Sequence, residues 1–257
     1  MPADWRPIVN EKGEALIPRF SRGTWESGEV ITRIGAGEVG GKASGLWRIQ
    51  TELLDKLDSL EFPDIQVTVP RMVILGTEVF DSFMDLNGLR EEVAGDVSDA
   101  SVAQAFAGAT LPPEILGDLR DFIAQVNSPL AVRSSSLLED ALGHPFAGVF
   151  ATKMIPNNQL DSDSRFQALT NAIRFVYAST FMSDAREYFK ATGLDHESEK
   201  MALVLQEVVG NRHGDRFYPL MSGVARSFNY FPREPPSPLT GSSTWRLGSA
   251  DKSSTGD

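Results

Sequence analysis

Lysine or arginine beside glycines and hydroxyls is the combination that holds phosphate, and this sequence sets it in two places. In Gly40-Gly41-Lys42-Ala43-Ser44-Gly45-Leu46 a lysine falls where an apolar helical period begins. Glycine lets a backbone approach a ligand, a helix N-terminus offers unpaired N–H donors, and lysine adds a charge. The spacing is not that of a Walker loop, which would need glycine at Ala36 and a hydroxyl at Ala43. A plain glycine turn ahead of a helix fits the same residues. In the second place, Val132-Arg133-Ser134-Ser135-Ser136 closes a short apolar run and leads into Glu139-Asp140, Gly143-His144-Pro145-Phe146-Ala147-Gly148 and Thr152. A guanidinium at a strand end, among hydroxyls and a glycine loop, can grip a polyphosphate through forked hydrogen bonds. The alternative is a surface ion pair of Arg133 with Glu139 or Asp140.

A third segment, residues 203–209, is an apolar run interrupted by Gln206 and Glu207 and ending at Val208 and Val209. Backbone groups on the edge of such a strand, framed by aliphatic side chains, suit adenine. An ordinary sheet strand with its polar pair outward is the alternative.

These segments need elements to carry them. Residues 30–34 read as a short strand before the glycine cluster. Leu46, Ile49, Leu53, Leu54, Leu57 and Leu60 then repeat at helical spacing. Residues 67–75 suggest strand, and Thr77 is placed to cap a helix over 78–86. A weaker helix is expected over 96–109. Pro112-Pro113 opens another, with Ile115, Leu116, Leu119, Phe122, Ile123 and Val126 as its stripe. Residues 130–132 read as a buried strand ending at Arg133, and 149–155 as the next strand. A single long helix is expected over 164–190, then strands over 202–209 and 223–231. Strands mixed with helices define an α+β or α/β domain.

Composition bounds the rest. With 257 residues, 41% of them hydrophobic, the chain can bury a substantial core. A net charge of -11 argues against a general nucleic-acid binder, which needs cations against phosphates. No apolar run approaches the roughly 20 residues of a membrane span, and the N-terminus lacks a secretory pattern. The absence of cysteine removes disulfides and thiolate chemistry. A cytoplasmic protein without membrane or nucleic-acid partners is the expectation. From Arg233 the chain turns Pro-rich and then Ser/Thr/Gly-rich, a composition expected to be disordered or an aberrant terminus.

Taken in order, the Gly-Lys element, Val-Arg-Ser-Ser about ninety residues later, Phe-Ala-Gly, Thr152 and the Gln-Glu-Val-Val strand resemble one family. It is the N-terminal ATP-binding domain of phosphoenolpyruvate synthase and pyruvate phosphate dikinase, a domain shared by rifampin phosphotransferase. Ser222-Gly223-Val224-Ala225 is similar to a further strand of that domain. The resemblance runs from Gly40 to Pro232 and implies an α+β, ATP-grasp-like nucleotide-binding domain with an incomplete second lobe. Residues 1–232 would form the partial domain and 233–257 the tail.

The resemblance also implies site roles. Gly41, Lys42 and Arg133 would contact the ATP phosphates, with Lys42 and Arg133 as the candidate catalytic pair. Gly148 would lie in the covering loop, Thr152 would help hold the nucleotide, and Gln206, Glu207 and Val209 would frame adenine. ATP and Mg²⁺ would be the cofactors. No metal-ligating residue is identified, because the family's metal-binding half is expected beyond the region of resemblance. In such enzymes the phosphoryl group passes to a histidine on a separate domain and then to pyruvate. His144, His196 and His213 match no phosphohistidine motif, so the chain alone is expected to be an inactive fragment of an ATP-dependent dikinase. A stand-alone regulatory nucleotide-binding module is the alternative.

Overall fold

The structure is a computed structural model that describes residues 17–56, 64–136, 148–193, 199–226 and 242–247. It divides into two units, Met1–Val208 and Val209–Asp257.

The first unit is built on a five-stranded sheet: β1 (Ile31–Ile34), β2 (Met72–Leu75), β3 (Leu130–Ser136), β4 (Thr152–Ile155) and β5 (Met201–Glu207). Their order is β1-β2-β5-β3-β4, with β1 and β2 parallel and every other pair antiparallel. All four residues of β2 are buried, as expected of an apolar strand covered on both faces. The thicker layer contains α1 (Arg22–Glu26), α3 (Thr77–Leu86), α4 (Leu89–Glu92), α5 (Asp99–Gly108), α6 (Pro113–Gln125) and α7 (Ser162–Ser179). Val73, Leu75, Val132, Leu203 and Leu205 of the sheet pack into the same cluster as the apolar stripes of these helices.

Buried aromatics lock the layer together. The Tyr177 ring lies 5.1 Å from Phe80 and 5.4 Å from Phe83, and Phe106 lies 5.7 Å from both Phe83 and Phe181. The other sheet face has a smaller cluster, in which Val39 and Ala43 pack with Ile31, Met72, Ile74 and Val204. Ala43 belongs to α2 (Gly40–Arg48), the helix that carries Lys42 in its first turn.

Several expectations change. The strand read as ending at Arg133 runs on to Ser136, so Arg133 lies mid-strand. The helix expected over 164–190 is two helices, α7 and α8 (Ser183–Thr192). The amides of Thr180 and Phe181 bond three residues back, to Tyr177 and Ala178, which closes α7. Asp99 then takes the Ser183 amide at 2.7 Å and its hydroxyl at 2.6 Å. Thr77 is the first helical residue of α3, with Gly76 in the capping position, because the Thr77 side chain is committed to Glu38. The period read through Leu54 leaves the α-helix at Arg48. It continues as one π-turn, Ile49–Leu53, and a 3₁₀ turn, Leu54–Lys56; Leu57 and Leu60 lie outside the described residues.

The second unit holds two antiparallel pairs. β6 (Asn211–His213) and β7 (Arg216–Tyr218) form a hairpin with His213 stacked on Tyr218 at 4.3 Å. β8 (Met221–Arg226) pairs with β9 (Ser242–Leu247). β9 falls within the stretch expected to be disordered. Backbone pairing to β8 supplies an order that its Ser/Thr content did not suggest.

Candidate functional site

The glycine loop before α2 is fixed at both ends. At its start, Arg33 donates from Nη1 to the Gly35 carbonyl at 2.6 Å and from Nε to Ile17 O at 3.1 Å. In the middle, Glu38 and Thr77 exchange bonds. The Glu38 amide donates to Thr77 Oγ1, and the Thr77 amide donates to Glu38 O, both at 2.9 Å. At its end Gly40 has φ +73° and lies against the Ser135 backbone so closely that a Cβ would overlap the Ser135 carbonyl. Only glycine combines that backbone angle with that approach.

Ser135 and Ser134 of β3 complete the attachment. The buried Ser135 hydroxyl donates to Val39 O at 2.8 Å and accepts from the Ala43 amide at 3.1 Å. Lys42 lies between those two points, and its Nζ donates to Ser134 O at 3.1 Å and to Ser134 Oγ at 3.3 Å. The two segments that the sequence placed about ninety residues apart are therefore in direct contact.

The register of the sheet adds the remaining groups. Arg133 pairs with Val204 on one side and with Thr152 on the other, while Ala131 pairs with Gln206. Side chains at cross-strand partners and at alternate positions share a face. Arg133, Thr152 and Gln206 therefore lie on the α2 side, with Ser135. Arg133 Nη1 donates to Gln206 Oε1 at 3.0 Å. The guanidinium is partly buried, and among the described residues it has no carboxylate partner. The alternative partners Glu139 and Asp140 lie outside the described residues. A cation held in place by a neutral amide keeps its charge for an anion.

Other expected residues sit elsewhere. Glu207 falls on the opposite face from Gln206, where Ser128 donates to its carboxylate. β5 is the central strand of the sheet, not an edge. The Glu207 and Val208 amides are already bonded to Arg71 O and Pro129 O, both at 2.9 Å. Those two amides are therefore taken up by the protein's own backbone. Val209 opens the second unit and is exposed. Gly41 is buried in the first turn of α2. Gly148, at φ +88°, is exposed at the start of a described segment, and the loop before it is not described. Among the described residues no three His, Asp or Glu side chains gather to hold a metal ion.

The sequence reading missed the separate roles of Ser134 and Ser135, and those of Thr77 and Arg33. The serines were legible only as hydroxyls beside an arginine, and nothing local shows that their partners lie on α2.

A lysine at a helix start, an arginine on the adjoining strand and a close-packed glycine loop in a mixed α+β domain are the residue types that suit an anion. The family model described as "Pyruvate phosphate dikinase, AMP/ATP-binding domain" matches residues 36–250, and the chain belongs to that family. The match extends past Pro232, where the resemblance read from the sequence ends, and it includes β9. The chain is also 26% identical over 189 residues to phosphoenolpyruvate synthase of Escherichia coli strain K12. That alignment covers 66% of this chain and 22% of the relative. The matched region is thus about a fifth of that enzyme's length.

Proposed function

We propose that this chain binds ATP with the polyphosphate at Lys42 and Arg133, as the nucleotide-binding part of a phosphoenolpyruvate synthase-like or pyruvate phosphate dikinase-like phosphotransferase. The observation that carries the reading is Arg133: a partly buried guanidinium, aligned by Gln206 and without a carboxylate partner among the described residues. Its other N–H donors suit forked bonds to phosphate oxygens. Lys42, steadied by Ser134, adds a second charge at the N-terminal turn of α2. Thr152, across from Arg133 on β4, offers a hydroxyl on the same face. Gln206, bonded to Arg133, would meet the nucleotide beside it.

In this reading the fold is ATP-grasp-like, and the second unit is part of its second lobe. Transfer to a histidine carrier and onward to pyruvate belongs to a larger cytoplasmic enzyme, with Mg²⁺ neutralising the triphosphate during transfer. The part in hand binds nucleotide without completing that transfer. Among the described residues no helix is long and apolar enough to cross a membrane.

Calorimetric titration of ATP into the full chain and into Arg133→Gln tests the reading. Loss of charge-assisted hydrogen bonds worth about 1.5–3 kcal/mol should weaken binding by roughly ten- to a hundredfold. Equal affinities, or no heat of binding to either protein, would remove its basis.

A further inference from the structure

We propose that Ser135 is the positioning residue of the site: its hydroxyl sets Lys42 and does not itself contact ligand. The inference rests on the nucleotide reading above and assigns a role within it.

The N-terminal turn of a helix usually takes its capping oxygen from the residue just before it. Here that residue is Val39, which makes no side-chain cap. The missing oxygen comes from a strand 92 residues away in sequence: Ser135 Oγ accepts from the Ala43 amide at 3.1 Å. The same hydroxyl donates its only proton to Val39 O at 2.8 Å. One oxygen therefore fixes the residue before the turn and the fourth residue of the helix, with Lys42 between them. Ser135 is 0% exposed, so its hydroxyl is both occupied and shielded.

Two neighbouring features depend on the same registration. Gly40 packs on the Ser135 carbonyl, and Ser134, the next residue back on β3, holds the Lys42 ammonium by its carbonyl and hydroxyl. Arg133 is one residue further back on the same strand. The strand thus carries one cation itself and dictates where the other is placed. A run of adjacent hydroxyls beside an arginine invites assignment of all of them to the ligand. The geometry separates them, giving Ser135 to α2.

The mark of a positioning role is coupling to Lys42, since ordinary loss of stability would leave the lysine's own contribution unchanged. The test uses the full chain with Ser135→Ala, Lys42→Ala and the double variant. ATP affinity should fall about tenfold or more in each single variant, because small misplacements of a binding group are costly. The double variant should be little worse than Lys42→Ala alone. Additive losses, or unchanged affinity in Ser135→Ala, would overturn the proposal.

A second readout needs no nucleotide. The rate at which an amine-acylating reagent modifies Lys42, normalised to Lys153, should rise several-fold in Ser135→Ala as the lysine leaves Ser134. An unchanged ratio would also overturn it. If the wild-type chain binds no ATP, the nucleotide reading fails, and the acylation ratio alone decides the role of Ser135. If Ser135→Ala loses cooperative unfolding, Ser135→Cys takes its place with the same expectations, since it fills the volume with a weak donor and acceptor.

Discussion

Replacing Gly40 with alanine tests whether the loop and β3 are as tightly joined as the site requires. The added Cβ would overlap the Ser135 carbonyl and come within 2.6 Å of Ser135 Oγ, where 3.4 Å begins ordinary contact. Strand and loop would have to part by at least about 0.8 Å at the hydroxyl, and further at the carbonyl. Ser135 Oγ bonds at 2.8 and 3.1 Å, so a separation of that size takes both beyond hydrogen-bond range. Losing two bonds at about 1 kcal/mol each, plus about 1 kcal/mol for alanine at φ +73°, gives a loss of roughly 2–4 kcal/mol. The control is Gly117→Ala, within α6, where a Cβ meets nothing within 4 Å. There the substitution should stabilise by about 0.5–1 kcal/mol through helix propensity. Urea unfolding of both variants, followed by circular dichroism, reads the difference. Gly40→Ala as stable as the parent would refute the close-packed account of the loop.

Two further outcomes are expected away from the site. The Tyr177 hydroxyl is fully buried without a hydrogen-bond partner among the described residues, and burial together with the Asp81 charge pushes its ionisation far above the ordinary range. Tyr177→Phe keeps the ring stack and removes the orphan, so it should raise stability by about 1 kcal/mol, seen as an increase of a few degrees in Tm. Hydrogen bonds from the Ser183 side chain and amide, with help from Arg186, hold the Asp99 carboxyl below the usual aspartate range. A depressed folded-state value means the associated stability is present above the unfolded value, about pH 4, and is lost as pH falls through the lower folded value. Asp99→Asn should therefore flatten the acid limb of a Tm profile taken from pH 7 to pH 2.5. A variant that kept the full slope would contradict the assignment.

The chemistry was more legible than the geometry. Lys42 at a helix start could be read from glycines followed by a 3.6-residue period, and the buried strands from β-branched runs such as Met72–Leu75. The end of β3 could not. Apolar character stops at Val132, yet Ser134, Ser135 and Ser136 continue the strand buried. The reason lies with partners on α2 for Ser134 and Ser135, out of reach of any local pattern. The break between α7 and α8 was hidden for the same reason: hydrophobic spacing runs through it, and Asp99 from α5 takes the Ser183 donors there. Composition misjudged residues 242–247, because strand pairing satisfies backbone groups whatever the side chains. Placing Gln206 and Glu207 on opposite faces needed only the two-residue period of a strand. That β5 is a central strand and not an edge could not be read, because strand order is not written in the strand itself.

In the proposed function Lys42 and Arg133 form one nucleotide site. Thermal unfolding of the full chain with and without Mg-ATP tests it most directly, alongside the Lys42→Ala, Arg133→Ala double variant. A ligand at a hundred times its Kd stabilises the folded state by about 2.7 kcal/mol, which at this size corresponds to a rise in Tm of roughly 5–10 °C. The parent should show that rise and the double variant should lose it. A cooperative transition unmoved by Mg-ATP, or an equal rise in both proteins, would contradict it.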